Sequence, residues 1–165
     1  MHLWASFVEL IVTPFLHAEL VWGIGPLYFG WVFNELTSTK RSFRTAIQTG
    51  FSFLWAGAHW SWQHFQAHPP DHRIVSTSSL LAVNAAVTAL VLVIGLLALI
   101  SGLRKKYPRY GSFLGHTRFS NYFMIAIFPI QSRYLEWSWE RLLAILIFAL
   151  PIWLLFHFGL APLRK

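Results

Sequence analysis

The chain lacks cysteine altogether, and only 12% of its 165 residues are charged. The missing thiols exclude disulfide bonds, thiolate metal sites and cysteine nucleophiles. A soluble domain carries about a quarter charged residues, so this proportion is too small to coat a water-facing surface. The hydrophobic residues make up 56% of the chain and are gathered into long blocks. The bilayer is therefore the expected solvent for this protein.

Several catalytic and processing motifs are missing as well. The sequence has no glycine-rich phosphate loop, no G-x-S-x-G nucleophile elbow and no dinucleotide fingerprint. Residues 1–33 lack a basic start and a small-residue cleavage site, so we expect them to stay in the mature protein. Without a catalytic motif the sequence favours a role other than catalysis, and it leaves the question of an enzyme open.

Long apolar blocks predict four transmembrane helices, because a helix needs about 20 such residues to cross the hydrocarbon core. The predicted spans are 13–34, 47–66, 80–103 and 142–163. The segment 119–131 is apolar but short, so we predict an interfacial or re-entrant segment there, with a fifth span as the alternative. Pro14 should bend the chain ahead of the first span. The expected fold is an all-α integral membrane helical bundle that forms a single domain over residues 1–165.

The net charge of +7 is distributed as short basic clusters at the ends of the apolar blocks. The clusters at 40–44 and 104–109 are separated by two predicted spans, so they lie on one side of the membrane. We expect this to be the cytoplasmic-equivalent side of a plasma membrane or an energy-transducing membrane. The distribution favours contact with anionic headgroups and argues against nucleic acid as a partner. The expected partners are the lipid bilayer and other membrane protein subunits.

Three histidines fall within predicted spans and are candidates for binding a cofactor. They are His17, His59 and His157. Histidines on different helices of a bundle ligate haem, and a single histidine ligates the magnesium of chlorophyll. The alternative for each histidine is a hydrogen bond to a neighbouring backbone or serine group. The cofactor is therefore unknown at this point, with haem and chlorophyll as the two candidates.

A second histidine group follows the second predicted span. His64 and His68 share a helix face as an i, i+4 pair, and His72 lies beyond Pro69 and Pro70. Neutral imidazoles at one surface bind Zn, Cu or Fe, so these three histidines are the candidate metal ligands. No HExxH or other dense spacing accompanies them. A polar belt of interfacial histidine and tryptophan is the favoured alternative.

Small residues mark a packing surface on the third predicted span. Ala82, Ala86 and Ala89 share one helix face. Gly95 extends a related seam, and Asn84 lies beside this face. Small side chains let helix backbones approach closely, which drives helix association in lipid. We predict a contact with another helix, either within this chain or on a partner subunit.

Two carboxylates, Glu9 and Glu19, fall among apolar residues near the first predicted span. A buried carboxylate costs several kcal/mol unless it is paired, protonated or hydrated. Glu9 shares a helix face with Thr13 and His17, so one hypothesis is a Glu–His pair that relays protons inside the membrane. The other hypothesis places Glu9 among the headgroups. We expect Glu19 to face another helix.

The leading prediction for function is a non-catalytic accessory subunit that packs within a larger membrane complex, with an energy-transducing assembly as the favoured setting. It depends on the small helix faces, the tryptophan-rich span ends and the missing catalytic motifs. The first alternative is a haem- or chlorophyll-binding redox or light-harvesting subunit. The second alternative is a metal-dependent lipid-modifying enzyme that uses the histidines following the second span.

Overall fold

The structure is a computed structural model that describes residues 3–37, 43–65, 78–104 and 118–160. Within these ranges the regular elements are all α-helices, which confirms the all-α part of the predicted fold. The helices, in chain order, are α1 Leu3–Leu16, α2 Ala18–Thr37, α3 Phe43–Phe65, α4 Ser78–Arg104, α5 Arg118–Gln131 and α6 Trp139–Gly159. Helix α6 begins at an N-cap, Ser138, whose hydroxyl accepts a hydrogen bond from the Arg141 amide.

Helices α3 and α4 form an antiparallel pair along a seam of glycines. A Cβ atom added at Gly50 would lie 2.6 Å from the backbone nitrogen of Leu99. A Cβ atom added at Gly102, near the end of α4, would lie 2.6 Å from Cγ1 of Ile47, near the start of α3. A side chain at either glycine would force the helices apart, so the glycines are what permits this close contact between the two backbones.

Helix α5 occupies the centre of the bundle, where it contacts α1, α2, α3 and α6. Every residue from 121 to 131 is buried except Phe123, which is half-buried. The helix has 14 residues and is therefore about 21 Å long, shorter than the hydrocarbon core of about 30 Å. We expected an interfacial or re-entrant segment here, or a short fifth span. Helix α5 is packed between its neighbours, and its position relative to a membrane stays a prediction.

The chain breaks sharply between α1 and α2, at His17. The two helices are bent by 109° relative to one another. We expected the bend at Pro14, but α1 continues through this proline. A proline removes only one helical hydrogen bond, and the buried side chains of Phe7 and Leu10 hold α1 against its neighbours. The next helix starts where the Leu20 amide bonds to the His17 carbonyl at 2.8 Å.

Two helices of the described part of the chain, α4 and α6, are long and apolar enough to cross a membrane. The number rises to three if α1 and α2 together make one broken span. Helix α6 faces mostly outward, since only 11% of its most apolar stretch is buried. These helices support a membrane location. The four-span count and the predicted spans 13–34 and 47–66 stay predictions.

The two ends of the bundle differ in composition. At one end α3 begins and α4 ends, and the side chains of Arg44 and Arg104 are exposed there. We call this the basic end. At the opposite end α3 ends, α4 begins, and the turn between α5 and α6 contacts both helices. We call this the polar end, defined by Gln63, Asn84 and Gln131.

Candidate functional site

Three helices meet at the polar end through buried amide and hydroxyl side chains. Gln63 of α3, Asn84 of α4 and Gln131 of α5 are each no more than 2% exposed. The Thr88 hydroxyl donates to the Gln131 side-chain oxygen at 3.4 Å, and the Trp137 indole donates to the Asn84 oxygen at 2.6 Å. We define the polar junction as Trp60, Gln63, His64, Asn84, Thr88, Gln131, Ser132, Arg133 and Trp137.

A tight turn after α5 forms the centre of the polar junction. The amides of Tyr134 and Leu135 both donate to the Pro129 carbonyl, at 2.9 and 3.2 Å. Arg133 has φ 63° and is the one non-glycine residue of the described ranges with a positive φ. The left-handed conformation costs an L-residue about 1–2 kcal/mol. The contacts of the arginine side chain must therefore offset this strain.

The Arg133 side chain caps the end of α3. Its Nη2 atom donates to the Gln63 carbonyl at 3.0 Å. The last carbonyls of a helix lack partners within the helix and carry partial negative charge, so a guanidinium stabilises them. Across the described ranges, Arg133 forms no ion pair with a carboxylate. Within these ranges the charge of this half-buried arginine is balanced by the terminus of α3 alone.

A second arginine at the polar end, Arg141, has a complete set of partners. Its Nη2 atom lies 3.0 Å from Glu9 Oε2 in a salt bridge, and its Nη1 atom donates to the Glu136 carbonyl at 2.7 Å. The Glu9 side chain is 46% exposed. Glu19 is exposed in the first turn of α2, where the helix dipole favours a carboxylate. That Glu9 lies among headgroups and that Glu19 faces another helix both stay predictions.

Several buried atoms of the polar junction have no hydrogen-bond partner within the described ranges. They are Trp60 Nε1, His64 Nε2, Gln131 Nε2, Ser132 Oγ and Arg133 Nε. Each buried polar group left unpaired costs about 1–3 kcal/mol, and folded proteins leave few of them. Further examples at Trp31, Thr49 and Asn121 are scattered over three helices. Three consecutive residues with such atoms, one of them in a strained conformation, identify the polar junction as the candidate site.

Two of the three histidines proposed as cofactor ligands lie toward the polar end, on different elements. His17 occupies the break between α1 and α2, with its ring centroid 4.5 Å from that of Tyr134. His59 lies inside the bundle, where its ring stacks on Phe128 of α5 at 5.6 Å. The structure thus places an aromatic ring beside each of the two imidazoles.

The third proposed cofactor ligand, His157, lies in the last turn of α6 and stacks on Trp153 at 5.4 Å. Helix α6 has 21 residues, so it is about 31 Å long and carries His157 to the basic end. His157 therefore lies too far from His17 and His59 to share a ligand with them. Whether any of the three binds haem or chlorophyll stays a prediction.

His64 is the one candidate metal ligand that the structure describes, since His68 and His72 lie outside the described residues. Its Nδ1 atom lies 2.6 Å from the Trp60 carbonyl. This contact requires the proton on Nδ1 and leaves a lone pair on Nε2, which is the arrangement of a metal-bound histidine. In the described part of the chain, no three His, Cys, Asp or Glu side chains are grouped so as to hold a metal ion.

The small residues of α4 lie on two opposite faces. Ala82, Ala86 and Ala89 are exposed, and we call this surface the alanine face. Asn84 and Gly95 are buried, Asn84 beside Trp137 and Gly95 against α3. Gly95 therefore belongs to the glycine seam, on the other side of the helix from the alanine face.

Sequence analysis did not single out the residues at the centre of the polar junction. Gln131, Ser132 and Arg133 directly follow an apolar run that contains Pro129, and this polar triplet is the signal that would have identified them. Comparison with known proteins gives no further assignment, because no protein family model, curated protein or solved structure matches the chain. The function must therefore be argued from the residues themselves.

Proposed function

We propose that this chain is a non-catalytic, multi-pass membrane subunit that packs against other membrane proteins of a larger complex. The observation that carries the proposal is the alanine face of α4, whose three alanines are all exposed. The opposite face of the same helix is already occupied by α3 through the glycine seam. The alanine face is thus available to a helix from outside the chain.

The alanine face is confined to the half of α4 nearer the polar end. Toward the basic end the exposed side chains are large, as at Leu96, Leu97 and Leu103. Lipid tails are as apolar as leucine, so a leucine surface gains little by leaving lipid, whereas small residues admit a second backbone at close range. A partner helix therefore gains most from contact along the alanine half.

The buried polar side chains of the described helices support a structural role, because several of them join one helix to the next. The Ser52 hydroxyl donates to the Pro26 carbonyl at 3.0 Å and links α3 to α2. The Tyr122 hydroxyl donates to the Ile145 carbonyl at 2.7 Å and links α5 to α6. Such bonds fix the internal arrangement of the bundle and leave its outer surface for association.

A bulky side chain on the alanine face tests the proposal. Ala86→Leu should separate the chain from its partner, so the complex extracted in mild detergent should have a smaller native mass. Ala58→Leu is the matched control, because Ala58 is an exposed alanine on a different helix, α3. The larger complex should survive in this control. Loss of the complex in both variants, or in neither, would contradict the proposal.

A second candidate function is the metal-dependent lipid-modifying enzyme, which the buried lone pair of His64 Nε2 favours. Elemental analysis of the purified protein should then find stoichiometric Zn, Cu or Fe that His64→Ala removes, and a metal-free preparation eliminates this candidate.

The haem or chlorophyll alternative is tested on the same sample. It requires a visible absorption band that is lost in His59→Ala.

A further inference from the structure

Most of the unpartnered atoms in the polar junction are hydrogen-bond donors, and they accompany an arginine that has no carboxylate partner within the described ranges. We propose that Gln131, Ser132 and Arg133 bind an oxyanion, a phosphate or carboxylate group, at the polar end of the bundle. This inference concerns a ligand and is independent of the proposed association with other subunits.

Two contacts direct the side chains of Gln131 and Arg133 toward the neighbouring helices α3 and α4. The Gln131 oxygen accepts from Thr88 of α4 at 3.4 Å, and Arg133 Nη2 donates to the Gln63 carbonyl of α3 at 3.0 Å. Helices α3 and α4 are packed against each other, so both side chains point toward one pair of helices. Because Thr88 takes up the Gln131 oxygen, the amide nitrogen of Gln131 is left to donate.

The charges at the polar end favour an anion beside Arg133. A helix C-terminus carries roughly half a negative elementary charge, so the end of α3 offsets only part of the positive charge of the guanidinium. Arg141, at the same end, has a full counter-charge, because its Nη2 atom lies 3.0 Å from the Glu9 carboxylate. A cation removed from water needs a counter-charge. Among the described residues no carboxylate supplies this charge to Arg133, which leaves the position beside it to a bound anion.

The chemistry of the donors fits an oxyanion. Gln131 and Ser132 are 0% exposed, and each has a side-chain donor without a partner in the described residues. Arg133 adds a guanidinium Nε–H, and phosphate or carboxylate oxygens accept several such bonds at once. His64 Nε2, an acceptor in the neutral imidazole, suits the hydroxyl of a protonated phosphate.

The oxyanion has two sources, the headgroup of an anionic lipid or a free anion in water, and one experiment distinguishes them. Purified protein in an uncharged detergent is titrated with short-chain phosphatidylglycerol and, separately, with inorganic phosphate, while thermal unfolding is followed. Diacylglycerol of the same chain length and sodium chloride at the same ionic strength are the matched references. A rise in Tm with phosphatidylglycerol alone supports a lipid site, and a rise with phosphate as well supports a site open to water.

Two variants separate ligand binding from a purely structural role of the turn. Arg133→Gln should weaken binding about tenfold or more, because it removes a charge-assisted hydrogen bond, whereas the exposed Arg44→Gln at the basic end should leave binding unchanged. Ser132→Ala should fold with an unchanged or higher Tm in the absence of ligand, because its hydroxyl has no partner in the described residues. It should nevertheless lose part of the ligand-induced rise.

The proposal is overturned if diacylglycerol and sodium chloride raise Tm as much as the anionic probes, or if no probe raises it. It is also overturned if Arg133→Gln keeps the full ligand-induced rise. Should the glutamine variant fail to fold, Ser132→Ala decides the question, and a full rise in that variant rejects the site.

Discussion

Helices α4 and α5 show how differently a bundle uses two apolar segments. Helix α4 has 27 residues and presents large exposed side chains such as Leu90, Val93 and Leu97. Helix α5 has 14 residues, is more polar, and is buried almost throughout. Lipid selects for length and apolarity, whereas the interior of a bundle admits a short helix whose polar groups find partners there. The more apolar helix therefore lies outside, the reverse of a soluble protein.

The largest effect is expected from a cavity in α5. Phe128 is 0% exposed, and its ring centroid lies 5.4 Å from that of Trp60. Phe128→Ala should lower the free energy of unfolding by about 3–5 kcal/mol, because the core collapses only partly around the missing ring. Leu97→Ala on the outer face of α4, 50% exposed, should change it by about 0.5 kcal/mol or less. The free energy of unfolding is measured in detergent, and equal losses in the two variants would contradict the difference between α4 and α5.

A charge on the outer face of α4 tests whether that face meets lipid. Leu90 lies near the middle of the helix and is 59% exposed. Leu90→Arg should impair insertion, because an arginine at the centre of a membrane helix costs about 2.5–3.5 kcal/mol. The measurement is the yield in the membrane fraction, with Leu90→Ala as the control. A normal yield of the arginine variant would argue that α4 does not cross the bilayer.

A single methyl group added to α3 should destabilise its packing against the buried face of α4. Gly50→Ala places a Cβ 2.6 Å from the Leu99 backbone nitrogen, so it should cost about 1–3 kcal/mol through overpacking. Gly25→Ala is the matched control, because a Cβ there meets nothing within 4 Å. The control should leave stability unchanged or raise it by up to about 1 kcal/mol. A lower Tm in both variants would refute the glycine seam.

The smallest effect is expected where the bundle surface carries charge. Glu9→Gln removes a salt bridge whose partners are 46% and 19% exposed, so we expect a loss of about 0.2–1 kcal/mol. The loss should shrink at high salt, because exposed charges are screened. Thermal unfolding in detergent at two ionic strengths measures this. A large, salt-independent loss would mean that the pair is shielded from water.

The sequence predicts the outer helices much better than the centre of the fold. Length and apolarity alone identify α4 and α6, because lipid imposes the same requirement on every residue that faces it. The burial of α5 depends on which helices surround it, and no local pattern encodes that. The contact between Arg133 and Gln63 joins residues 70 positions apart, so neither residue alone predicts a cap or a binding site.

The histidines show the same limit for the candidate site. His17, His59 and His157 were grouped because each falls in a predicted span, but helix direction decides which end of the bundle a residue reaches. Helix α6 starts at the polar end, so His157 in its last turn lies at the opposite end. Counting α5 as an interfacial segment reverses the expected direction of α6, and the grouping of the three histidines depends on that count.

The separation of 132 positions between Glu9 and Arg141 has a consequence for the order of biosynthesis. Helix α1 leaves the ribosome before α6, yet α6 supplies part of the surface on which α1 docks. The α3–α4 pair, by contrast, can close as soon as two neighbouring segments have been made. A chain truncated before α6 should therefore contain a finished α3–α4 hairpin, whereas α1 lacks part of its docking surface and is open to chaperones and membrane proteases.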